Sequence, residues 1–134
     1  MKIAVATLLF FMSSPALAVS WSNCADGAIM DVSSVSVNPD PVQGGKPATF
    51  KITGDHEQDI TNGAILDVSV RAFGLQVYRE SGSLCAQQDC PLAAGTSTLT
   101  FTNDIPGFLP SSTYTTFEGK TADGQVIFCT QIKL

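Results

Sequence analysis

Acid–base chemistry in this chain would depend on His56, because the sequence contains a single histidine. His56 lies in the run Asp55-His56-Glu57-Gln58-Asp59, whose imidazole and carboxylates are groups that can hold a metal ion or exchange protons. Adjacent loop residues rarely converge on one ion, so we interpret the run as a solvated polar turn. The sequence also lacks a GxSxG elbow, an HExxH helix, a glycine-rich phosphate loop and an EF-hand pattern. We therefore expect neither enzymatic activity nor a cofactor.

The first eighteen residues have the features of a secretory signal peptide. Lys2 gives a positive start, residues 3–12 form an apolar run, and Ala16-Leu17-Ala18 supplies the small residues that signal peptidase reads. The run is well short of the ~20 residues that span a bilayer, which disfavours a membrane anchor. We predict a signal peptide over residues 1–18 and one domain over residues 19–134, with an extracellular, vacuolar or lysosomal location.

The four cysteines all lie in the predicted domain, and an even number in an exported protein indicates two disulfides. Four cysteines allow three connectivities. Cys85 and Cys90 are close neighbours, whereas Cys24 and Cys129 lie near opposite ends, so their positions favour those two pairs. The long pair would contribute ~4–5 kcal/mol in the chain-entropy model. A zinc site would need CxxC-type spacing and histidine ligands, which the sequence lacks.

The charge balance of the predicted domain is acidic. Without Lys2 it carries six basic and twelve acidic residues, a net charge of −6, and no cluster of lysines or arginines. An acidic surface repels phosphate backbones, so we expect no nucleic-acid partner. It also disfavours docking on anionic membranes through a basic patch. We expect a monomer.

Strict alternation of apolar and polar residues predicts an all-β fold. Leu66, Val68, Val70 and Ala72 alternate with polar residues, as in a strand with one buried face. Asn62-Gly63 and Asp123-Gly124 are typical of turns. Similar patterns predict seven strands, with apolar marker residues at 35 and 37, 48–52, 66–72, 75 and 77, 99 and 101, 114 and 117, and 126–132. Short strands at this spacing indicate an antiparallel sandwich.

The segment Ile105-Pro106-Gly107-Phe108-Leu109-Pro110 combines large apolar residues with prolines that cannot donate to a strand ladder. Such a segment either plugs the end of the core or lines an opening into it. The residues alone slightly favour plugging.

The order of these features resembles the ML lipid-recognition domain family. Trp21-Ser22-Asn23-Cys24 is followed by Val37-Asn38-Pro39-Asp40-Pro41, Gly44-Gly45-Lys46-Pro47-Ala48, Leu84-Cys85, Cys90-Pro91-Leu92, Ile105-Pro106 and Phe128-Cys129. That family includes the soluble Niemann-Pick type C sterol carrier and the phosphatidylglycerol/phosphatidylinositol transfer proteins. The chain lacks the sterol carrier's third cysteine pair. It also has Arg79-Glu80-Ser81-Gly82-Ser83 in place of that carrier's Pro-rich apolar segment.

The resemblance implies an immunoglobulin-like antiparallel β-sandwich with two disulfides and an apolar pocket between its sheets. It implies the pairs Cys24–Cys129 and Cys85–Cys90, and it favours lining over plugging for Phe108 and Leu109. Head-group selection would fall to rim residues, with Tyr114, Arg79 and Lys120 as candidates. The predicted lipid-binding residues are Phe50, Ile52, Leu66, Val68, Val70, Val77, Leu99, Phe101, Ile105, Phe108, Leu109, Tyr114 and Phe128.

Two functions of different classes follow. The first is a secreted lipid-binding and transfer protein that holds a sterol or phospholipid acyl chain and makes transient contact with a membrane or membrane protein. Burial of each methylene would contribute ~0.8 kcal/mol to such binding. The alternative is an extracellular interaction or immune-recognition module with a packed core, an exposed apolar patch around Phe108 and no lipid ligand.

Overall fold

The computed structural model of the protein describes residues 19–110 and 112–134, so the predicted signal peptide lies outside the described residues. The described part is built from antiparallel strands and one short turn of 3₁₀ helix, Leu84–Ala86. The strands are β1 (Trp21–Asn23), β2 (Met30–Asn38), β3 (Pro47–His56), β4 (Ile65–Ala72), β5 (Leu75–Ser83), β6 (Gly95–Asp104), β7 (Thr113–Lys120) and β8 (Val126–Lys133).

These strands form two sheets. The larger has the order β1-β8-β7-β4-β5, and the smaller has the order β2-β3-β6. All seven predicted strands are present, and the all-β sandwich predicted from alternation is confirmed. In β4, alternate residues from Leu66 to Ala72 are buried, because one face of the sheet packs against the other sheet. The sheet order leaves β5 as a free edge of the larger sheet and β6 as a free edge of the smaller sheet.

The interior between the sheets is closed by four phenylalanines. Phe117 of β7 packs against Phe50 of β3 and Phe101 of β6, with ring centroids 4.9 and 5.3 Å apart. Phe101 also lies 6.3 Å from Phe128 of β8. All four rings are buried, and aromatic pairs at these separations stabilise a core beyond the area that they bury. The central strands therefore enclose a filled core.

Two disulfides hold the sandwich at different places. Cys24–Cys129 ties the segment after β1 to β8, and the Cys24 N–H donates to the Cys129 carbonyl at 2.9 Å. Cys85–Cys90 closes a short loop after β5. The pairing favoured by position and by the family resemblance is the pairing in the structure. Strand β1 was not predicted, because three residues are too few to show alternation.

The structure corrects the interpretation of His56. It is the last residue of β3 and is buried, not part of a solvated turn. Its Nδ1 lies 2.8 Å from the Gln58 carbonyl, and its Nε2 lies 2.8 Å from the Ser97 hydroxyl. Both ring nitrogens thus have structural partners, which accounts for a buried polar side chain at this position. Each of the neighbouring acidic residues, Asp55, Glu57 and Asp59, is exposed.

Candidate functional site

A cleft opens between the free edges of the two sheets. Strand β5 forms one wall, and the end of β6 with the following loop forms the other. Its volume is about 880 Å³, within the range of ~300–1,000 Å³ that is usual for small-molecule sites. It lies beside the closed core rather than at the centre of the sandwich, because the inner face of β5 is uncovered, whereas β6 is covered along its inner face as far as Phe101.

Strand β5 presents an unusual surface, since all nine of its residues are exposed. Its pairing with β4 shifts register between Val70 and Arg71, which makes Val77 a bulge residue. Leu75 pairs with buried Ala72 and so points to the inner face. Leu75 and Val77 line the cleft and are 69% and 59% exposed. The inner face of β5 is therefore uncovered, whereas the inner face of the neighbouring strand β4 is buried.

The β4–β5 turn places an aromatic side chain at the cleft. Phe73 and Gly74 form a two-residue connection with φ values of 54° and 77°, as in a type I′ hairpin turn. Phe73 is the non-glycine residue with positive φ in the described chain, a conformation that is disfavoured for a bulky side chain. Its side chain is 70% exposed and lines the cleft.

The 105–110 loop completes the opposite wall. The Gly45 N–H donates to the Ile105 carbonyl at 2.9 Å, and the Ile105 N–H donates to the Lys46 carbonyl at 3.0 Å. Ile105 is buried at the base of this loop, whereas Phe108 is 78% exposed. A Cβ on Gly44 would lie 2.7 Å from the Gly107 carbonyl oxygen, so this close backbone approach requires glycine.

The loop closed by Cys85–Cys90 borders the cleft at its other end. The Thr102 N–H donates to Gln87 Oε1 at 2.9 Å, and the Thr100 N–H donates to Gln88 Oε1 at 3.2 Å. The amide of Gln88 also donates to the Thr100 carbonyl. These two side chains therefore satisfy backbone groups on the free edge of β6, which would otherwise be open to pairing with another strand. Gln87 also lines the cleft.

The polar lining of the cleft is acidic. Tyr78 and Glu80 pair with buried Val70 and Val68, so both point toward the inner face of β5. Asp104 lies at the end of β6 on the other wall. The pKa of the Tyr78 phenol is raised, mainly because partial burial disfavours the phenolate and further because of the charge of Glu80, hydrogen bonding to Glu80 and the charge of Asp104.

The structure brings only part of the predicted lipid-binding set to the cleft. Val77, Ile105 and Phe108 line it. Phe50, Val68 and Val70 line a void of about 20 Å³ that lies deeper, behind wall residues shared with the cleft. Leu109 is half-buried against the core. The remaining aliphatic and aromatic positions of the predicted inner faces lie in the closed core: Ile52, Leu66, Leu99, Phe101 and Phe128.

Tyr114 and the proposed rim cations lie elsewhere. Tyr114 pairs with exposed Arg71 and lies three residues before buried Phe117, so it points to the outer face of β7. Arg79 alternates with the inward residues of β5, so it points to the outer face. Its Nη2 lies 3.8 Å from Asp67 Oδ1. The Nζ of Lys120 lies 3.7 Å from Glu118 Oε1. None of these three side chains is part of the cleft wall, and their role in head-group selection stays a prediction.

Sequence reasoning missed several wall residues, including Phe73, Leu75, Tyr78, Glu80 and Pro106. The signal for Leu75 was present, since it was recognised as a strand residue next to Val77. The positions of Tyr78 and Glu80 could not be read from alternation, because the bulge at Val77 changes the register of β5.

Residues 19–110 and 112–134 contain no group of three or more His, Cys, Asp or Glu side chains arranged to hold a metal ion. The same residues contain no helix long and apolar enough to cross a membrane.

The sequence matches the ML domain family over residues 18–134. The chain belongs to the ML domain family. A relative from Dictyostelium discoideum, provisionally named a phosphatidylglycerol/phosphatidylinositol transfer protein, is 32% identical over 114 residues that cover 80% of each chain. A protein from Mycosarcoma maydis named a phosphatidylglycerol/phosphatidylinositol transfer protein is 25% identical over 130 residues, covering 90% of this chain and 67% of its own.

Solved structures have the same ML-domain fold at low sequence identity. A Niemann-Pick type C2 protein from Japanese carpenter ant superposes with a TM-score of 0.65 at 14% identity, covering 84% of this chain and 96% of its own. Chicken MD-1, solved with lipid IVa, superposes with a TM-score of 0.62 at 15% identity, covering 84% of this chain and 85% of its own. The family to which this chain belongs is one of lipid-binding and lipid-transfer proteins.

Proposed function

We propose that this protein is an exported, monomeric lipid carrier that holds the apolar chain of a sterol or phospholipid in the cleft between β5 and β6. The observation that carries the proposal is the cleft itself, with Leu75 and Val77 on one wall and Ile105 and Phe108 on the other. Removing each methylene from water contributes ~0.8 kcal/mol, so an acyl chain can bind there without directional contacts. The protein would act by burying and releasing a ligand, with no bond made or broken.

Phe73 and Phe108 support transient contact with a membrane. They lie on opposite walls of the cleft and are the two most exposed large apolar side chains of the described residues, at 70% and 78%. Exposed aromatic rings partition into the interfacial region of a bilayer. Contact through these rings would bring the mouth of the cleft to the lipid surface. The acidic net charge of the chain favours a neutral surface over an anionic one.

Lipid extraction and probe binding test the proposal. We expect native protein from its own secretory pathway to release lipid that mass spectrometry can identify, and delipidated protein to bind a fluorescent fatty-acyl probe with one-to-one stoichiometry. The Val77→Asp variant should bind the probe at least about tenfold more weakly, because it places a charge in the apolar wall.

The Ile65→Asp variant is the matched control, since Ile65 is also exposed, β-branched and in the β4–β5 hairpin but lies outside the cleft wall. It should bind the probe as the wild type does. Protein with neither extractable lipid nor probe binding would contradict the proposal.

The filled core and exposed Phe108 also suit the second candidate, an interaction module without a lipid ligand. This candidate predicts the contradicting result of the same experiment. It also predicts that Phe108→Ser abolishes association with an extracellular protein while the variant remains folded.

A further inference from the structure

The cleft wall carries charge of one sign. Glu80 and Asp104 are the charged side chains that line it, and the other polar wall residues, such as Tyr78, Gln87 and Asn103, are neutral. Glu80 occupies an inward position on β5, opposite buried Val68. The cleft combines an apolar wall with two carboxylates, so it has a place both for an apolar chain and for a polar end.

Neither carboxylate has a cationic partner among residues 19–110 and 112–134. The ion pairs there join Arg79 to Asp67 and Lys120 to Glu118. Arg79 is held on the outer face of β5, away from the cleft wall. Lys46 lies beside the base of the 105–110 loop through its backbone carbonyl, and its side chain is not part of the wall.

Tyr78 lines the same cleft as these two carboxylates. Both Glu80 and Asp104 raise the pKa of its phenol, in addition to the effect of partial burial. Since β5 carries Glu80 and β6 carries Asp104, each wall of the cleft contributes one negative charge to its lining. A group that enters this space therefore meets a negative potential.

We propose that the cleft selects amphiphiles whose polar end is a protonated amine over those whose polar end is a phosphate. This inference rests on the proposed function, because it specifies the polar end of the lipid that the cleft holds. An ammonium group donates hydrogen bonds to carboxylates and is attracted by their charge. A phosphate would place like charges together in a site without a neutralising cation. The chain would thus differ from relatives whose names refer to phosphatidylglycerol and phosphatidylinositol, both of which have anionic head groups.

The test is competition among amphiphiles of one chain length. A neutral fluorescent probe, N-phenyl-1-naphthylamine, is bound to the whole exported protein and displaced by dodecylamine, dodecanol or dodecyl phosphate, each below its micellar concentration at neutral pH and low salt. We expect dodecylamine to displace the probe at a concentration at least about tenfold lower than dodecyl phosphate, with dodecanol between them. Added salt should reduce this ratio, because it screens the charges.

Two double variants show whether the cleft causes the preference. Glu80→Gln with Asp104→Asn should bring the ratio of amine to phosphate close to one while the affinity for dodecanol is retained. Asp26→Asn with Glu57→Gln removes the same total charge at exposed positions outside the cleft, and it should keep the wild-type ratio.

Displacement by dodecyl phosphate as strong as that by dodecylamine would overturn the inference and leave the proposed function in place. So would a preference that survives in the Glu80→Gln/Asp104→Asn variant. Failure of the protein to bind the probe and every competitor would overturn the proposed function, and this inference with it.

Discussion

Phe101 and Phe108 belong to one continuous stretch of chain, yet they have opposite surroundings. Phe101 is fully buried between Phe117 and Phe128, whereas Phe108 is 78% exposed. Phe101 lies on the inner face of β6, under the central strand of the other sheet. Phe108 lies past the end of β6, where the opposing strand is β5 and leaves a cleft. An apolar residue is thus core or cleft wall according to what stands across from it, and its type does not decide this.

The two disulfides give the largest expected effects in a comparison of the closed core with the cleft. Replacing Cys24 and Cys129 with alanine should lower the free energy of unfolding by ~4–5 kcal/mol, because the bond closes a loop of sequence separation 105. Replacing Cys85 and Cys90 should cost about 2 kcal/mol, since its loop has a separation of 5. Urea unfolding measures both.

Probe binding should follow the opposite order. The Cys85/Cys90 variant should bind the fatty-acyl probe more weakly, because the Cys85–Cys90 loop holds Gln87 at the end of the cleft. The Cys24/Cys129 variant should retain binding at temperatures where it is folded. Equal losses of binding in the two variants would contradict the assignment of the Cys85–Cys90 loop to the cleft.

Single phenylalanine substitutions test the same difference within each region. Phe117→Ala should lower the free energy of unfolding by ~3–5 kcal/mol, because it removes a ring that packs against Phe50 and Phe101. Phe108→Ala should change it by less than ~0.5 kcal/mol, since an exposed side chain loses little packing. Denaturant unfolding gives both values, and weaker lipid binding is expected for Phe108→Ala alone. A large stability loss for Phe108→Ala would show that this residue plugs the core.

The anchoring of the 105–110 loop gives a smaller effect. Gly44→Ala should cost about 1–3 kcal/mol, because its Cβ would meet the Gly107 carbonyl, which belongs to the backbone and has to move. Gly107→Ala is the control, since a Cβ there meets nothing within 4 Å. Thermal unfolding and probe affinity should both change in the first variant and stay near the wild type in the second. The reverse order would contradict the proposed contact.

Alternation in the sequence predicted most of the fold for a physical reason. A strand with one face in the core repeats apolar residues at every second position, as Leu66 to Ala72 do in β4. The disulfide pairs could also be predicted, because only two of the cysteines are near neighbours. Strand β1 could not, since its hydrogen bonds to β8 stabilise three residues that show no pattern. The burial of His56 depends on Ser97, a partner 41 positions away.

The location of the cleft could not be predicted by selecting the apolar residues at alternate positions of each strand. That rule selected Phe50, Ile52 and Leu99 along with Val77, because all of them alternate with polar residues, but only Val77 lies on a strand with an uncovered inner face. The order of strands within a sheet decides which faces are uncovered, and the sequence pattern does not encode it. Tyr114 was predicted to line the pocket, but it lies three residues before buried Phe117, and residues three apart in a strand point to opposite faces.

Tyr78 provides the smallest effect and tests the electrostatics of the cleft directly. The sequence contains two tyrosines, so ultraviolet difference titration of the wild type against Tyr78→Phe isolates this phenol. We expect its midpoint to lie above the usual value of 10.0, because partial burial and the charges of Glu80 and Asp104 disfavour the phenolate. Since the unfolded chain loses this proton first, the free energy of unfolding should decrease as the pH rises above 10.0.

Glu80→Gln separates charge from burial at this site. The variant keeps the size of the side chain and removes its charge, so the Tyr78 midpoint should fall below that of the wild type while remaining above that of an exposed phenol. Asp67→Asn, on the outer face of β4, should leave it unchanged. A midpoint that did not respond to Glu80→Gln would mean that the charge of Glu80 does not act on Tyr78. Asp104 alone would then distinguish the charge of the cleft from that of the closed core.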